Sequence, residues 1–270
     1  MDGTVSNADQ ATRESVEARA RYYSPANIFK VERPPIPAMA FVAERDQAMA
    51  PDAPTGWIPL DIGTQIGLDE PATTPLMLAR YGRVAPGESL TGAFRASGEF
   101  YFVISGDGRA TKGAESFAWE SGDVFSLPGG GETRLDGGAD GAVLLLVTNE
   151  PELAFHGLAA PTPEAAPTPA VRYPMADILA EMGRVRADQS ADPNASGRAL
   201  HLTSDRNGKA DAAHPSIKLA MNTLDPHSIQ RSHRHNSVAL TLPIEADNVY
   251  SVIEGNRLDW HPYALMITPP

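Results

Sequence analysis

Two of the seven histidines stand one residue apart, in the tripeptide His233-Arg234-His235. The surrounding pattern puts them at or near the start of a strand, where side chains alternate between faces. Residues 233 and 235 then point the same way and can hold one metal ion from two sides. The competing role for such a pair is two solvated or hydrogen-bonded histidines on an edge strand. Nitrogen-ligated mononuclear sites favour Fe(II), Mn(II), Ni(II), Cu(II) or Zn(II), whereas Ca and Mg prefer oxygen. Arg231 lies two residues before His233 and so falls in phase with both rings. A guanidinium there could clamp a substrate carboxylate through two parallel hydrogen bonds; an ordinary surface ion pair is the equal alternative. His227 is close by in sequence. His261, beside Trp260, reads as a surface or supporting residue more readily than as a third ligand. His156, His201 and His214 lie in loops with no partner pattern and receive no role.

The composition narrows the chemistry further. There is no cysteine, which removes disulfides, thiolate metal sites and a cysteine nucleophile together. Any metal must be held by nitrogen and oxygen. The formal charge of −12 repels phosphate backbones and anionic membrane surfaces, and no basic block offsets it locally. Neither nucleic acid nor a membrane is therefore an expected partner. The start of the chain is polar and acidic where a secretory signal needs a basic start and an apolar run, so the cytoplasm is the expected compartment. Gly129-Gly130-Gly131 lacks the lysine and the helix of a phosphate loop. Ser204-Asp205 and the other serines show no nucleophile elbow. Asp123, in the turn Ser121-Gly122-Asp123, reads as a residue that bonds its own backbone.

The elements that must position these groups are mostly strands. With 270 residues, 42% of them hydrophobic, the chain can bury a core as one large domain or two small ones. Its 23 glycines and 24 prolines recur every few positions, as suits short strands and turns. Strands are predicted over 76–84, 99–104, 116–119, 124–127 and 142–147. A second set is predicted over 217–224, 238–242, 249–253, 257–260 and 264–267. Helices are predicted over 8–23 and 175–186, the latter from Met175, Ile178, Leu179 and Met182 at helical spacing. Pro161–Pro169, with four prolines in nine residues, reads as a semi-rigid linker or long loop. Many short strands at regular spacing argue for an all-β barrel or jelly roll. The two strand sets look like an internal repeat: Phe94–Phe100 lies over His233–Ala239, and Ile104-Ser105-Gly106 corresponds loosely to Ile253-Glu254-Gly255.

The run Asp225-Pro-His-Ser-Ile-Gln-Arg-Ser-His-Arg-His-Asn-Ser-Val-Ala-Leu240, followed by Tyr250-Ser-Val-Ile-Glu-Gly255, resembles the first metal motif of a cupin. More narrowly, it is similar to the bicupin ring-cleaving dioxygenases of gentisate, salicylate and 1-hydroxy-2-naphthoate. Gly98–Gly106 and Trp119–Pro128 resemble a cupin core as well. The resemblance spans residues 75–150 and 215–270. Three departures mark it. Phe94 and Ala96 occupy the places of the first barrel's histidines, so that barrel is expected to hold no metal. The glutamate that often follows the histidine pair is missing, the next acid being Glu245, as in the branch that resembles three-histidine dioxygenases. The second motif, with its closing histidine, is approached by Leu265–Pro270 and not reached.

What the resemblance implies is a double-stranded β-helix (jelly-roll) bicupin with a few peripheral helices, its second barrel incomplete. The expected divisions are an N-terminal arm over 1–74, a first barrel over 75–158, a linker and helix over 159–198, and a partial second barrel over 199–270. The 55 residues from Ser216 to Pro270 fall short of the ~100 of a small domain. The sequence is accordingly expected to be a fragment of a longer protein, with completion by a partner chain as the alternative. The implied activity is Fe(II)-dependent ring cleavage of a hydroxylated aromatic carboxylate by O2, with Mn, Ni or Zn as other possible metals. His233 and His235 would be ligands and Arg231 the carboxylate contact. A non-catalytic binding or structural cupin, or a metal-dependent isomerase or decarboxylase, are the other readings, since one fold hosts many chemistries. A homodimer or homotetramer is implied by the resemblance alone.

Overall fold

The computed structural model describes residues 17–20, 22, 24, 34–188, 198–207 and 212–270. The chain separates into two units, Met1–Pro35 and Ile36–Pro270. In the first, Glu17–Arg19 form a single 3-10 turn; the helix expected over 8–23 otherwise falls almost wholly outside the described residues.

The second unit opens with β1 (Met39–Ala40), helix α1 (Val42–Met49) and β2 (Gly56–Pro59). The main body follows as β3 (Leu78–Val84), β4 (Ser89–Ala93), β5 (Gly98–Lys112), β6 (Glu115–Glu120), β7 (Val124–Pro128) and β8 (Glu132–Thr148). Helix α2 (Glu150–Phe155), β9 (Val171–Tyr173) and helix α3 (Met175–Ala187) come next. The remaining strands are β10 (Arg198–Leu202), β11 (Leu219–Thr223), β12 (Ala239–Thr241), β13 (Tyr250–Ile253), β14 (Asn256–Asp259) and β15 (Met266–Thr268).

β5 and β8 are the backbone of the body, because each is long enough to serve in two layers. They pair antiparallel, with register shifts between Val103 and Ser105 and between Gly106 and Gly108. Bulges of this kind bend a ladder without ending it. Gly106 (φ 85°) and Gly141 (φ 70°) sit at the bend, in backbone conformations that side chains rarely tolerate. A methyl group on Gly106 would press onto the Gly141 carbonyl oxygen. On one side of the bend the order is β2-β3-β8-β5-β7-β9. On the other, β4 pairs with residues 132–136 of β8, and β6 with residues 107–112 of β5. The result is a two-layer, all-β jelly roll that takes in β2 and β9 from outside residues 75–158.

Between the layers lie Val84, Leu90, Phe94, Tyr101, Val103, Trp119, Phe125, Leu127, Leu135, Leu144 and Leu146. Tyr101 stacks on Phe125 at 4.5 Å. Strand alternation sends Val143 and Leu145 to the opposite face, where they meet Phe41, Leu60, Leu265 and Ile267 in a second core. That double burial explains the unbroken apolar run at 142–147. β15 lies between β1 and β12 over this outer face. Tyr81 fastens it: its hydroxyl donates to the Tyr263 carbonyl at 2.6 Å and accepts from the Leu265 amide at 2.9 Å. Burial pushes the Tyr81 phenol up to about 12.

α3 spans Met175–Ala187, as its spacing predicts, with Ile178 and Met182 buried and Leu179 largely exposed. The Asp123 carboxylate positions its start, accepting from the Met175 amide (3.1 Å), from Arg172 (2.7 Å) and from its own turn at the Glu120 amide (3.0 Å). A carboxylate at that end is also favoured by the helix dipole. The Pro161–Pro169 stretch is a loop laid on the body: Ala166 and Thr168 are buried, and Ser126 donates to the Pro169 carbonyl at 2.8 Å. From residue 198 onward, the described strands form separate ladders, β10-β11, β13-β14 and β1-β15-β12. No described residue belongs to a helix long and apolar enough to cross a membrane.

Candidate metal site

The loop between β11 and β12 carries the histidine pair. Asp225-Pro226 opens it with a turn in which the Asp225 carbonyl accepts from the Ser228 amide at 3.1 Å. His227 adopts a left-handed conformation (φ 59°), uncommon for a residue with a Cβ. His233 and His235 are not on a strand: β12 starts only at Ala239, and residues 224–237 are exposed. Turn formers explain the difference, because Asp, Pro, Ser and Asn satisfy their own backbone locally and compete with a ladder.

The rings nevertheless lie edge to face. Their centroids are 4.8 Å apart with planes at 76°. Two imidazoles sharing one cation at about 2.0–2.1 Å would have centroids roughly 4.5–5 Å apart. His233 Nδ1 is 3.0 Å from the Arg231 carbonyl oxygen. A carbonyl can only accept, so Nδ1 carries the proton, and Nε2 is the nitrogen left for a metal. Ligating histidines are commonly fixed in this way through the other nitrogen. Arg231 is exposed, and its carbonyl is what orients His233.

Among the described residues, no group of three His, Cys, Asp or Glu side chains is placed to hold an ion. His227 and His261 therefore do not join the pair as a third ligand. The two imidazoles would offer a cation two nitrogen donors, and no three-histidine set is assembled among the described residues. In the β3–β8 body Phe94 and Ala96 are buried, 8% and 0% exposed, and their side chains carry no donor atom. A surface cavity of about 520 Å³ lies elsewhere, lined by Phe94, Arg95, Gly130, Gly131 and Ala160. Its arginine donates to the Leu158 carbonyl at 2.6 Å.

Comparison with known proteins bears on the fold. No protein-family profile matches the sequence, and no curated protein does. Crystal structures of salicylate 1,2-dioxygenase from Pseudoaminobacter salicylatoxidans do match. A point variant aligns with a TM-score of 0.63 at 13% identity, over 99% of this chain and 89% of that one. A second variant, in complex with gentisate, aligns with a TM-score of 0.65 at 11% identity, over 100% of this chain and 87% of that one. The fold is that of a cupin. At such identity the likeness concerns architecture, and residue roles rest on this chain's own geometry.

Two polar clusters escaped the sequence reading. His214, assigned nothing there, is 5% exposed. Its Nδ1 accepts from the Ser216 amide at 3.1 Å, so Nε2 holds the proton and donates to Ser97 Oγ at 2.9 Å. Asn149 Nδ2 donates to the same oxygen at 2.9 Å and to Glu152 at 2.9 Å, and Ser216 Oγ donates to Glu152 at 2.5 Å. With the ring donating, it cannot take the Ser97 proton: the arrangement clasps the 212–217 loop to the body and activates no nucleophile. Burial pushes His214 below its ordinary range, while nearby Glu152 pulls it up. Burial also pushes Glu152 up, but the Ser216 and Asn149 hydrogen bonds and the neighbouring histidines bring it below the usual carboxylate range. The second cluster, around Glu99, lies within the β3–β8 body. No short motif announces either, since each joins residues far apart in sequence.

Proposed function

We propose that this cupin is a metal-dependent, dioxygenase-like protein for a hydroxylated aromatic carboxylate, with His233 and His235 as ligands to Fe(II). The reading rests on one observation: the paired rings 4.8 Å apart, with His233 Nδ1 engaged by the Arg231 carbonyl and Nε2 left as the nitrogen for a metal. When bound, the metal would supply a meeting place for a hydroxy-carboxylate and O2 and a route for electron density to oxygen. The chain's own part is to orient. The Arg231 carbonyl fixes the His233 tautomer, and the Arg231 guanidinium is assigned to the substrate carboxylate, two bonds matching its planar fork. Salicylate dioxygenase adducts with gentisate support this substrate class by analogy of fold. In the same reading, β10 to β15 stand as a partial second barrel, and the acidic surface faces the cytoplasm.

The exposure of the pair favours a second reading, a cupin that binds a cation without turning over substrate. Metal analysis after anaerobic loading with Fe(II), followed by oxygen uptake with gentisate and with salicylate, separates the two. Iron near one equivalent, lost in His233→Ala and His235→Ala, with substrate-dependent uptake, supports the dioxygenase. Iron without uptake supports the binding module or a different metal-dependent reaction. No metal retained by the native chain overturns the site.

A further inference from the structure

Two opposite charges are enclosed together in the β3–β8 body. Glu99, near the start of β5, and Lys112, at its end, are 0% and 1% exposed. The bend at Gly106 folds β5 back on itself, and the Lys112 ammonium forms an ion pair with Glu99 Oε1. Lys112 Nζ also donates to Thr133 Oγ1 on β8 at 2.9 Å. Thr133 in turn donates to Glu99 Oε2 at 2.8 Å, and the Tyr101 hydroxyl donates to the same oxygen at 2.7 Å. Burial pushes the Glu99 carboxyl up, and the Lys112 ammonium with the three hydrogen bonds pulls it back. Tyr101 itself belongs to the apolar core between the layers.

A carboxylate in a dry core must be protonated or meet a cation. Here a Glu99 carboxylate oxygen and the Thr133 hydroxyl both face Lys112 Nζ, oxygen donors of the kind a hard cation takes, yet the position is filled by the chain itself. We infer that the Lys112 ammonium is the resident cation of the first barrel, occupying an oxygen-lined site in place of an ion drawn from solution. The barrel is thereby closed to metals, and its integrity does not vary with their supply. This holds whether or not His233 and His235 bind metal.

Charge, beyond packing, is then the essential property of the Lys112 side chain. In Lys112→Ala, n-propylammonium restores the atoms lost beyond Cβ, and n-propanol restores most of the volume without the charge. The variant, refolded from urea with each additive, is expected to melt roughly 6–20 °C below the native chain without additive. Propylammonium should recover at least half of that drop, propanol little, and the native chain should respond to neither. Equal recovery by propanol, no recovery in a folded variant, or a native melting temperature without additive would overturn the inference. Should Lys112→Ala not fold, the neutral pair Glu99→Gln with Lys112→Met decides: folding supports the inference, and failure to fold in both overturns it.

Discussion

The β3–β8 body and the histidine loop handle charge in opposite ways. In the body Glu99, Lys112, Tyr101 and Thr133 are enclosed, and each polar side-chain atom of the cluster is committed to a partner inside the chain. In the loop His233 and His235 are exposed, and only the Nδ1 of His233 is spoken for. Enclosure makes a polar group costly to disturb and unavailable to a ligand, whereas exposure makes it cheap to disturb and available. Stability and ligand binding should therefore respond to different substitutions.

The largest expected effect on stability is that of Lys112→Met, which strands a buried carboxyl and should cost about 3–5 kcal/mol in urea unfolding. A loss below about 1 kcal/mol, the scale of an exposed pair, would erase the contrast between the regions. Gly106→Ala, forced into a left-handed conformation against the Gly141 carbonyl, should follow at roughly 1–3 kcal/mol. A native-like unfolding midpoint for this variant would mean that the β5 bend yields easily.

The Ser97–His214 clasp falls between the two regimes, because a buried neutral imidazole must gain a charge when acidified. With His214 held below its ordinary value, its stabilising contribution is complete above about pH 6.5. It is lost as pH falls through the lowered folded-state value, and Glu152, also lowered, adds a loss of the same sign below about pH 4.5. Stability should thus decline on acidification, and His214→Gln should flatten the upper part of that decline. A decline identical in the variant would remove His214 from the account. At the far end, His233→Ala and His235→Ala should each change stability by less than about 0.5 kcal/mol. Each should weaken Fe(II) or Zn(II) binding tenfold or more by titration; unchanged binding would leave the pair a surface feature.

Much of the fold is legible in the residues, and its failures have physical causes. β3, β6, β7 and α3 lie where alternation, turn glycines and helical spacing put them. β5 and β8 extend well beyond the predicted 99–104 and 142–147, because Gly106-Asp107-Gly108 reads as the end of a strand. With a positive φ at Gly106, the same residues let the ladder turn a corner and continue. α1 has little apolar contrast, only Ala48 being buried, and gives no periodic signal. The histidine pair is visible because its members are adjacent in sequence. The Glu99–Lys112 pair is invisible because only the bend brings it together, and His214 finds its partners only after the 212–217 loop docks.

The central place of β15 in the β1-β15-β12 ladder also bears on how the molecule is made. Residues 266–268 are its middle strand, so β1, emerging early from a ribosome, has no neighbour in that ladder until more than two hundred further residues have been synthesised. Until then Val143 and Leu145 lack the cover of Leu265 and Ile267. A nascent chain in this condition presents a greasy flank and an unpaired edge, the features that draw holdase chaperones and promote aggregation.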